Sequence, residues 1–127
     1  MKTIVILEKI AQNSRNIEKQ FLKSFESFSI IDEFNKANAI FIKPNLTYPK
    51  YKQGVTTRIE FIEGLVAALR QINNCTKIYI GEGEGSYNSF SMTEAMLSMG
   101  FFELEKRFQN VKVVNISKIP TRMEELK

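Results

Sequence analysis

The stretch Lys77-Ile78-Tyr79-Ile80-Gly81-Glu82-Gly83-Glu84-Gly85-Ser86 contains the unit on which the fold class depends, an apolar strand that runs directly into a polar turn. Its first four residues are rich in β-branched and aromatic side chains, which predicts a strand over Lys77–Ile80. Strand-like and helix-like stretches alternate on both sides of this unit. Such alternation predicts right-handed βαβ units and therefore a parallel sheet.

Three further apolar runs predict strands, at Thr3–Leu7, Ala39–Ile42 and Val111–Val114. The run Ala39–Ile42 is apolar at every position, as a central parallel strand requires, because both of its faces are buried. We expect this strand to stop at Pro44, since proline has no N–H to donate to a sheet ladder.

Apolar residues spaced by three and four predict helices between these strands. The first helix follows a cap at Asn13-Ser14 and places Ile17, Phe21, Phe25 and Phe28 on one face. The other predicted starts are two capping boxes, in which a side chain at each end satisfies a backbone donor at the other. They are Thr57–Glu60, whose helix ends at Asn73-Asn74, and Ser91–Glu94, whose helix runs to Met99 with Gly100 as its left-handed cap.

The chain has 127 residues, enough for one domain with a single core. We expect a single α/β domain over 1–127, with a Rossmann-like three-layer architecture and a mainly parallel sheet of about four strands. In such sheets ligands bind beyond the carboxyl ends of the strands. That rule selects the turns after the second and third predicted strands as the candidate site.

Composition excludes several classes of site. The chain has no histidine, which excludes His-based catalytic triads and His-ligated metals, and one cysteine, which excludes an internal disulfide and an iron–sulfur cluster. We expect the thiol of Cys75 to be buried and inert. The net charge of +4 is spread without a basic block, so nucleic-acid binding is not favoured. The run Ile4–Leu7 is too short for a signal peptide or a membrane span, which favours a cytoplasmic protein.

The turn Lys43-Pro44-Asn45 follows the second predicted strand. A lysine at the end of a buried strand is partly desolvated, so Lys43 is a candidate for binding a carboxylate or phosphate, or for acting as a base. Asn45 offers both a donor and an acceptor to a ligand. The alternative is a strand-terminating Lys-Pro with an asparagine turn, and the two interpretations remain open.

The turn Gly81–Ser86 follows the third strand, and its alternate glycines would let a ligand approach the backbone of Gly83, Glu84, Gly85 and Ser86. It is not a dinucleotide fingerprint, because no helix opens directly after it. Glu82 and Glu84 are candidate oxygen ligands for Mg²⁺ or Ca²⁺, or a general acid/base pair. A solvent-exposed tight turn is the structural alternative.

Between these two turns lies a loop of unusual length for a βα connection, Asn45 to Gly54, followed by Thr56-Thr57. We expect the hydroxyl of Thr57 to be used as a helix cap. Thr56 is freer and lies near the helix N-terminus, where the dipole favours an anion, so it joins the candidate ligand-binding residues, with a purely structural role as the favoured alternative.

These segments together resemble the family called domain of unknown function 362, over roughly residues 38 to 116. The features that carry the resemblance are Ile42-Lys43-Pro44-Asn45-Leu46, Thr56-Thr57, Phe61–Val66, Ile80-Gly81-Glu82-Gly83, Gly85-Ser86, Met99-Gly100-Phe101 and the strand Val111–Val114. Members of that family are typically longer, and some carry ferredoxin-like cysteine clusters. The chain therefore looks like the amino-terminal half of such a domain, and with one cysteine it cannot carry an iron–sulfur role.

Two functions from different classes remain open at this level. In the first, the domain is part of an enzyme that acts on a small anionic or polar molecule, with Lys43 and Glu82 as the catalytic residues and a divalent cation as a candidate cofactor. In the second, it is a non-catalytic binding or assembly module, in which a partner or a second copy covers the exposed edge strands of the sheet.

Overall fold

The computed structural model describes residues 3–85 and 89–122 and contains a mixed arrangement of helices and strands. The α/β class is confirmed. In chain order the elements are α1 (Ser14–Ser27), α2 (Ile31–Lys36), β1 (Ala39–Ile42), α3 (Ile59–Ile72), β2 (Lys77–Glu82), α4 (Met92–Ser98), α5 (Glu103–Arg107), β3 (Val111–Asn115) and a 3₁₀ turn (Ile116–Lys118).

The three strands form one parallel sheet in the order β1-β2-β3. The register aligns Ile42 with Ile80 and Ile80 with Val113. The predicted parallel sheet is therefore confirmed, with three strands instead of about four. Because parallel strands run in the same direction, the turns after β1, β2 and β3 all lie at the end of the sheet where the strands terminate, its carboxyl edge.

The predicted strand at Thr3–Leu7 is wrong, because these residues lie outside every helix and strand of the described chain. Val5 is 84% and Leu7 96% exposed. The segment that follows is held against α1, where Gln20 donates to the carbonyl of Lys9 and accepts from the N–H of Ala11. A β-branched run becomes a strand only when it pairs with a neighbouring strand, and the described chain anchors the residues that follow this run to α1 without pairing the run itself.

The core lies on one face of the sheet. Ile78 and Ile80 of β2 are fully buried, and they pack with Val66 of α3, Met96 of α4 and Phe101 in a single apolar cluster. The alternate residues point the other way, and Phe41 on β1 and Lys112 on β3 are exposed. The helices of the described residues therefore cover one face, as right-handed crossovers that all proceed in one direction require.

Two of the three predicted helix caps are confirmed. The side chain of Asn13 accepts from the N–H of Asn16, and that of Ser91 accepts from the N–H of Glu94. The prediction for Thr57 is wrong, because α3 begins one residue later and its cap, Arg58, makes no side-chain capping bond. The Thr57 hydroxyl instead accepts from the N–H of Asn45, so it closes a loop.

The expectation of a buried cysteine is also wrong, since Cys75 is exposed. It lies in the short turn between α3 and β2, where the side chain of Asn73 accepts from the N–H groups of Cys75 and Thr76. A local asparagine turn of this kind lies at the protein surface, so the side chain of Cys75 is exposed as well.

Among the helices formed by residues 3–85 and 89–122, none combines the length and the apolar character needed to cross a bilayer.

Candidate functional site

Lys43 and Glu82 meet at the carboxyl edge of the sheet. Their side chains form an ion pair, with 2.8 Å between Nζ of Lys43 and Oε2 of Glu82. The register explains the contact, because Ile42 lies beside Ile80 and the two strands end at the same edge. The structure therefore brings together two residues that lie 39 positions apart in the sequence.

The two partners differ in their access to solvent. The side chain of Glu82 is 11% exposed, whereas that of Lys43 is 59% exposed. The contact between Lys43 and Glu82 is partly buried, which agrees with the expected partial desolvation of Lys43, although more than half of the lysine side chain stays in solvent. The carboxylate is the group that the fold withdraws from water.

The orientation of the Glu82 carboxylate is fixed from two sides. Oε2 faces Lys43, and Oε1 accepts from the backbone N–H of Gly83 at 3.0 Å. A carboxylate with both oxygens bonded and little exposure has few other rotamers available, so Glu82 is a preorganised acceptor at the edge of the sheet.

Close approach of the next strand requires a glycine at Gly81, where this turn begins. Among the described glycines, only Gly54 and Gly100 have positive φ angles, so a left-handed backbone is not what requires glycine in this turn. A Cβ on Gly81 would lie 2.8 Å from Cγ2 and 2.9 Å from the carbonyl oxygen of Val114. A Cβ on Gly85 would meet no atom of the described residues within 4 Å.

Glu84 is anchored to the end of β3. Its carboxylate accepts from the side-chain amide of Asn115 at 3.0 Å, and its backbone N–H donates to the hydroxyl of Ser117 at 2.9 Å. The Asn115 amide, and after it the Ser117 hydroxyl, lower the pKa of Glu84 below its ordinary value. Asn115 also donates to the hydroxyl of Thr93, so one buried side chain connects β3, the turn and the start of α4.

The sequence interpretation missed Asn115 and Ser117. One signal was present, because they follow the last predicted strand and so lie at the same edge of the sheet as the two selected turns. An asparagine and a serine after a strand are common in ordinary turns, however, and their distance from Glu84 depends on the register of β3.

Asn45 is committed mainly to its own loop. Its side-chain amide donates to the carbonyl of Val55 at 2.8 Å, and its backbone exchanges two bonds with Thr57. These bonds join the two ends of the segment between β1 and α3. The position of the Lys43 turn is therefore fixed by the loop that follows it.

Thr56 is not the freer threonine of its pair. It is buried, and its hydroxyl accepts from the N–H of Lys52 and lies 3.3 Å from the carbonyl of the same residue. Thr56 lines a different cleft from Lys43 and Glu82. Its predicted contact with a ligand stays a prediction, and the structure gives its hydroxyl a structural use.

A cleft of about 350 Å³ opens between the turns that follow β1 and β2. Predicted site residues contribute much of its lining, and apolar and hydroxyl side chains from the flanking loops and the start of α4 complete it. The lining residues are Lys43, Asn45, Leu46, Thr47, Glu82, Gly83, Glu84, Gly85, Ser89, Phe90 and Met92. The remaining predicted residue, Ser86, lies outside the described residues.

Two further clefts, of about 340 and 400 Å³, share the residues Gln12, Tyr51, Thr57 and Arg58 at the start of α3. The guanidinium of Arg58 is already occupied there, since it donates to the carbonyls of Ala11 and Gln12. These clefts are therefore lined by groups that hold the amino-terminal segment in place.

The two carboxylates proposed as metal ligands have separate partners, Lys43 for Glu82 and Asn115 for Glu84. Within the described ranges 3–85 and 89–122, no group of three or more Cys, Asp or Glu side chains is arranged to hold a metal ion. Binding of a divalent cation by this pair stays a prediction.

A family profile described as Domain of unknown function (DUF362) matches residues 40–125. The chain belongs to the DUF362 family. The matched range begins in β1 and contains both turns, the cleft between them and the anchoring residues Asn115 and Ser117, so the whole candidate site lies within the DUF362 domain. No curated protein and no solved structure matches the chain.

Proposed function

We propose that the cleft between the turns after β1 and β2 of this DUF362 domain binds a small polar molecule that carries an anionic group. The observation that supports it most strongly is the Lys43–Glu82 pair at the mouth of a cleft of about 350 Å³. This cleft lies at the carboxyl edge of a parallel sheet, which is where open α/β sheets bind ligands.

The unequal exposure of the pair assigns a role to each partner. The ammonium of Lys43 is accessible and sits on a flexible stem, so it can turn from Glu82 toward the anionic group of a ligand. Glu82 is held by the Gly83 N–H and remains in place to accept a hydrogen bond from the same ligand. The ligand class is therefore an anion that also bears a hydroxyl or amine donor.

The same pair is suited to proton transfer, which is the enzymatic form of the proposal. A lysine and a carboxylate within hydrogen-bonding distance can exchange a proton with a bound molecule, with Glu82 as the base and Lys43 stabilising the developing negative charge. In the non-catalytic form the cleft only binds. Turnover of a bound ligand distinguishes the two forms, because only the first converts it to a product.

A thermal-shift screen tests the binding proposal, using phosphorylated, carboxylated and amino-acid metabolites together with Mg²⁺ and Ca²⁺ alone. A ligand at about 100 times its Kd adds about 2.7 kcal/mol to the free energy of unfolding. The stabilisation should be lost in Lys43→Met and in Glu82→Gln.

The matched controls are Lys106→Met and Glu103→Gln, which remove another ion pair of the same 2.8 Å length on the surface of α5. They should leave the stabilisation unchanged. A hit that is equally weakened in both sets of variants, or in neither, would contradict the assignment of the site. Stabilisation by Mg²⁺ or Ca²⁺ that requires both Glu82 and Glu84 would show that the cleft binds a cation and not an anionic molecule.

A further inference from the structure

The amino-terminal run Thr3–Leu7 has the composition of a buried strand without the surroundings of one. Ile4, Val5 and Leu7 are exposed by 57%, 84% and 96%. In an extended conformation Ile4 and Ile6 would lie on one face, and Val5 and Leu7 on the other. Both faces would then be apolar, which is typical of a strand covered on both sides.

Within the part of the chain that the structure describes, the strand β1 lacks a pairing partner on one side. It lies at the edge of the sheet, and no strand of residues 3–85 or 89–122 pairs with its outer side. Its outward N–H and C=O groups therefore form an open ladder that can accept another strand. Phe41 is 53% exposed at the centre of this strand, so the open edge is apolar as well as unpaired.

The chain does not bring its own run to this edge. The residues directly after Leu7 are fixed along α1. Glu8 forms an ion pair with Lys23, and the backbone carbonyl of Lys9 accepts from the side-chain amide of Gln20 at 2.8 Å. The guanidinium of Arg58 also donates to the carbonyls of Ala11 and Gln12. The base of the run is thus anchored, while the run itself extends into solvent.

We propose that the run Thr3–Leu7 of one copy adds as a strand to the open edge of β1 in a second copy, and that the exchange is reciprocal. A symmetric homodimer formed in this way satisfies both unpaired elements with one kind of contact. The added strand would place one of its apolar faces beside Ile40 and Ile42 and the other beside Phe41. This inference concerns a different surface from the cleft and does not depend on the proposed ligand.

Light scattering after size-exclusion chromatography tests the assembly. The wild-type chain should be a dimer at high concentration and dissociate on dilution. Val5→Pro, which removes a backbone donor in a segment outside every element, and Phe41→Lys, which charges the open edge, should both be monomeric. Leu97→Lys is the matched control, since Leu97 is 65% exposed on α4, and it should remain dimeric.

Cysteine cross-linking identifies which elements meet. In a Cys75→Ser background, a chain with Phe41→Cys is mixed with a chain carrying Val5→Cys, and in a parallel sample with one carrying Ile6→Cys, since the register decides which residue faces Phe41. A disulfide-linked heterodimer in one of the two mixtures is the expected result. A monomeric wild type, cross-linking of Phe41→Cys only to itself, or no heterodimer in either mixture would each overturn the proposal.

Discussion

The two sides of the turn after β2 use the same residue types for different purposes. On the side that faces β3, Gly81 makes room for Val114, and the carboxylate of Glu84 is bonded by Asn115. On the side that faces the cleft, the carboxylate of Glu82 is paired with an exposed lysine. Hydrogen bonds from uncharged donors to Glu84 build the first side into the fold, whereas the ion pair of the second can open without disturbing the sheet.

The largest effect should come from glycine substitution on the β3 side. Gly81→Ala should lower the free energy of unfolding by about 2–3 kcal/mol, because its Cβ would meet the Val114 carbonyl, which cannot move alone. Gly85→Ala should change it by less than about 0.5 kcal/mol, since its Cβ would meet no atom of the described residues within 4 Å. Urea unfolding measures both changes in free energy. Equal changes would contradict the conclusion that only the β3 side of the turn is tightly packed.

The next effect concerns Asn115. Asn115→Ala should lower the free energy of unfolding by about 1–3 kcal/mol, because this buried side chain donates to both Glu84 and Thr93. Asn35→Ala is a suitable comparison, since Asn35 is exposed on α2. If the two substitutions were equally mild in urea unfolding, Asn115 would not be the link between β3 and the turn.

Acid should act on the β3 side through Glu84. Its pKa is lowered in the folded state by Asn115 and Ser117, so its contribution to stability is present above the ordinary pKa of a glutamate and is lost as the pH falls through the lowered value. Glu84→Gln should therefore flatten the fall in stability between about pH 5 and pH 2. The flattening should largely vanish in an Asn115→Ala background, and its persistence there would assign the acid response to another cause.

The smallest effect should come from the cleft side in the absence of ligand. The double substitution Lys43→Met with Glu82→Gln should change the free energy of unfolding by less than about 1 kcal/mol, since more than half of the Lys43 side chain is exposed and such pairs contribute little. Chemical unfolding of the ligand-free protein measures it. A loss of several kcal/mol would show that this pair also belongs to the structural side.

Much of the fold was predictable because the strands β1, β2 and β3 carry their own signal in short apolar runs bounded by turns. The run Thr3–Leu7 carries the same signal and is not a strand, because pairing depends on a neighbouring edge that composition does not describe. The cap at Thr57 failed for a related reason: the loop from Asn45 competes for its hydroxyl, and that contact lies 12 positions away.

The candidate site was predictable in its position and less so in its chemistry. The rule for parallel sheets indicated the edge at which Lys43 and Glu82 meet. It did not indicate that the lysine would be the more exposed partner. Nor did it indicate that Glu84 would turn to β3, because that outcome depends on the register of β3. Spacing alone treats the two glutamates as equivalent, and only the third strand distinguishes them.

Backbone amide shifts of the ¹⁵N-labelled chain, followed during titration with each member of the metabolite panel and with Mg²⁺ and Ca²⁺, test the central claim most directly. Binding of a polar anion in the cleft should move the amides of Gly83, Glu84 and Gly85 and leave those of Thr57 and Arg58 in place. The movement should disappear in Lys43→Met and persist in Lys106→Met. Shifts confined to Thr57 and Arg58, or shifts at Gly83–Gly85 that survive the loss of Lys43, would contradict the assignment of ligand binding to this pair.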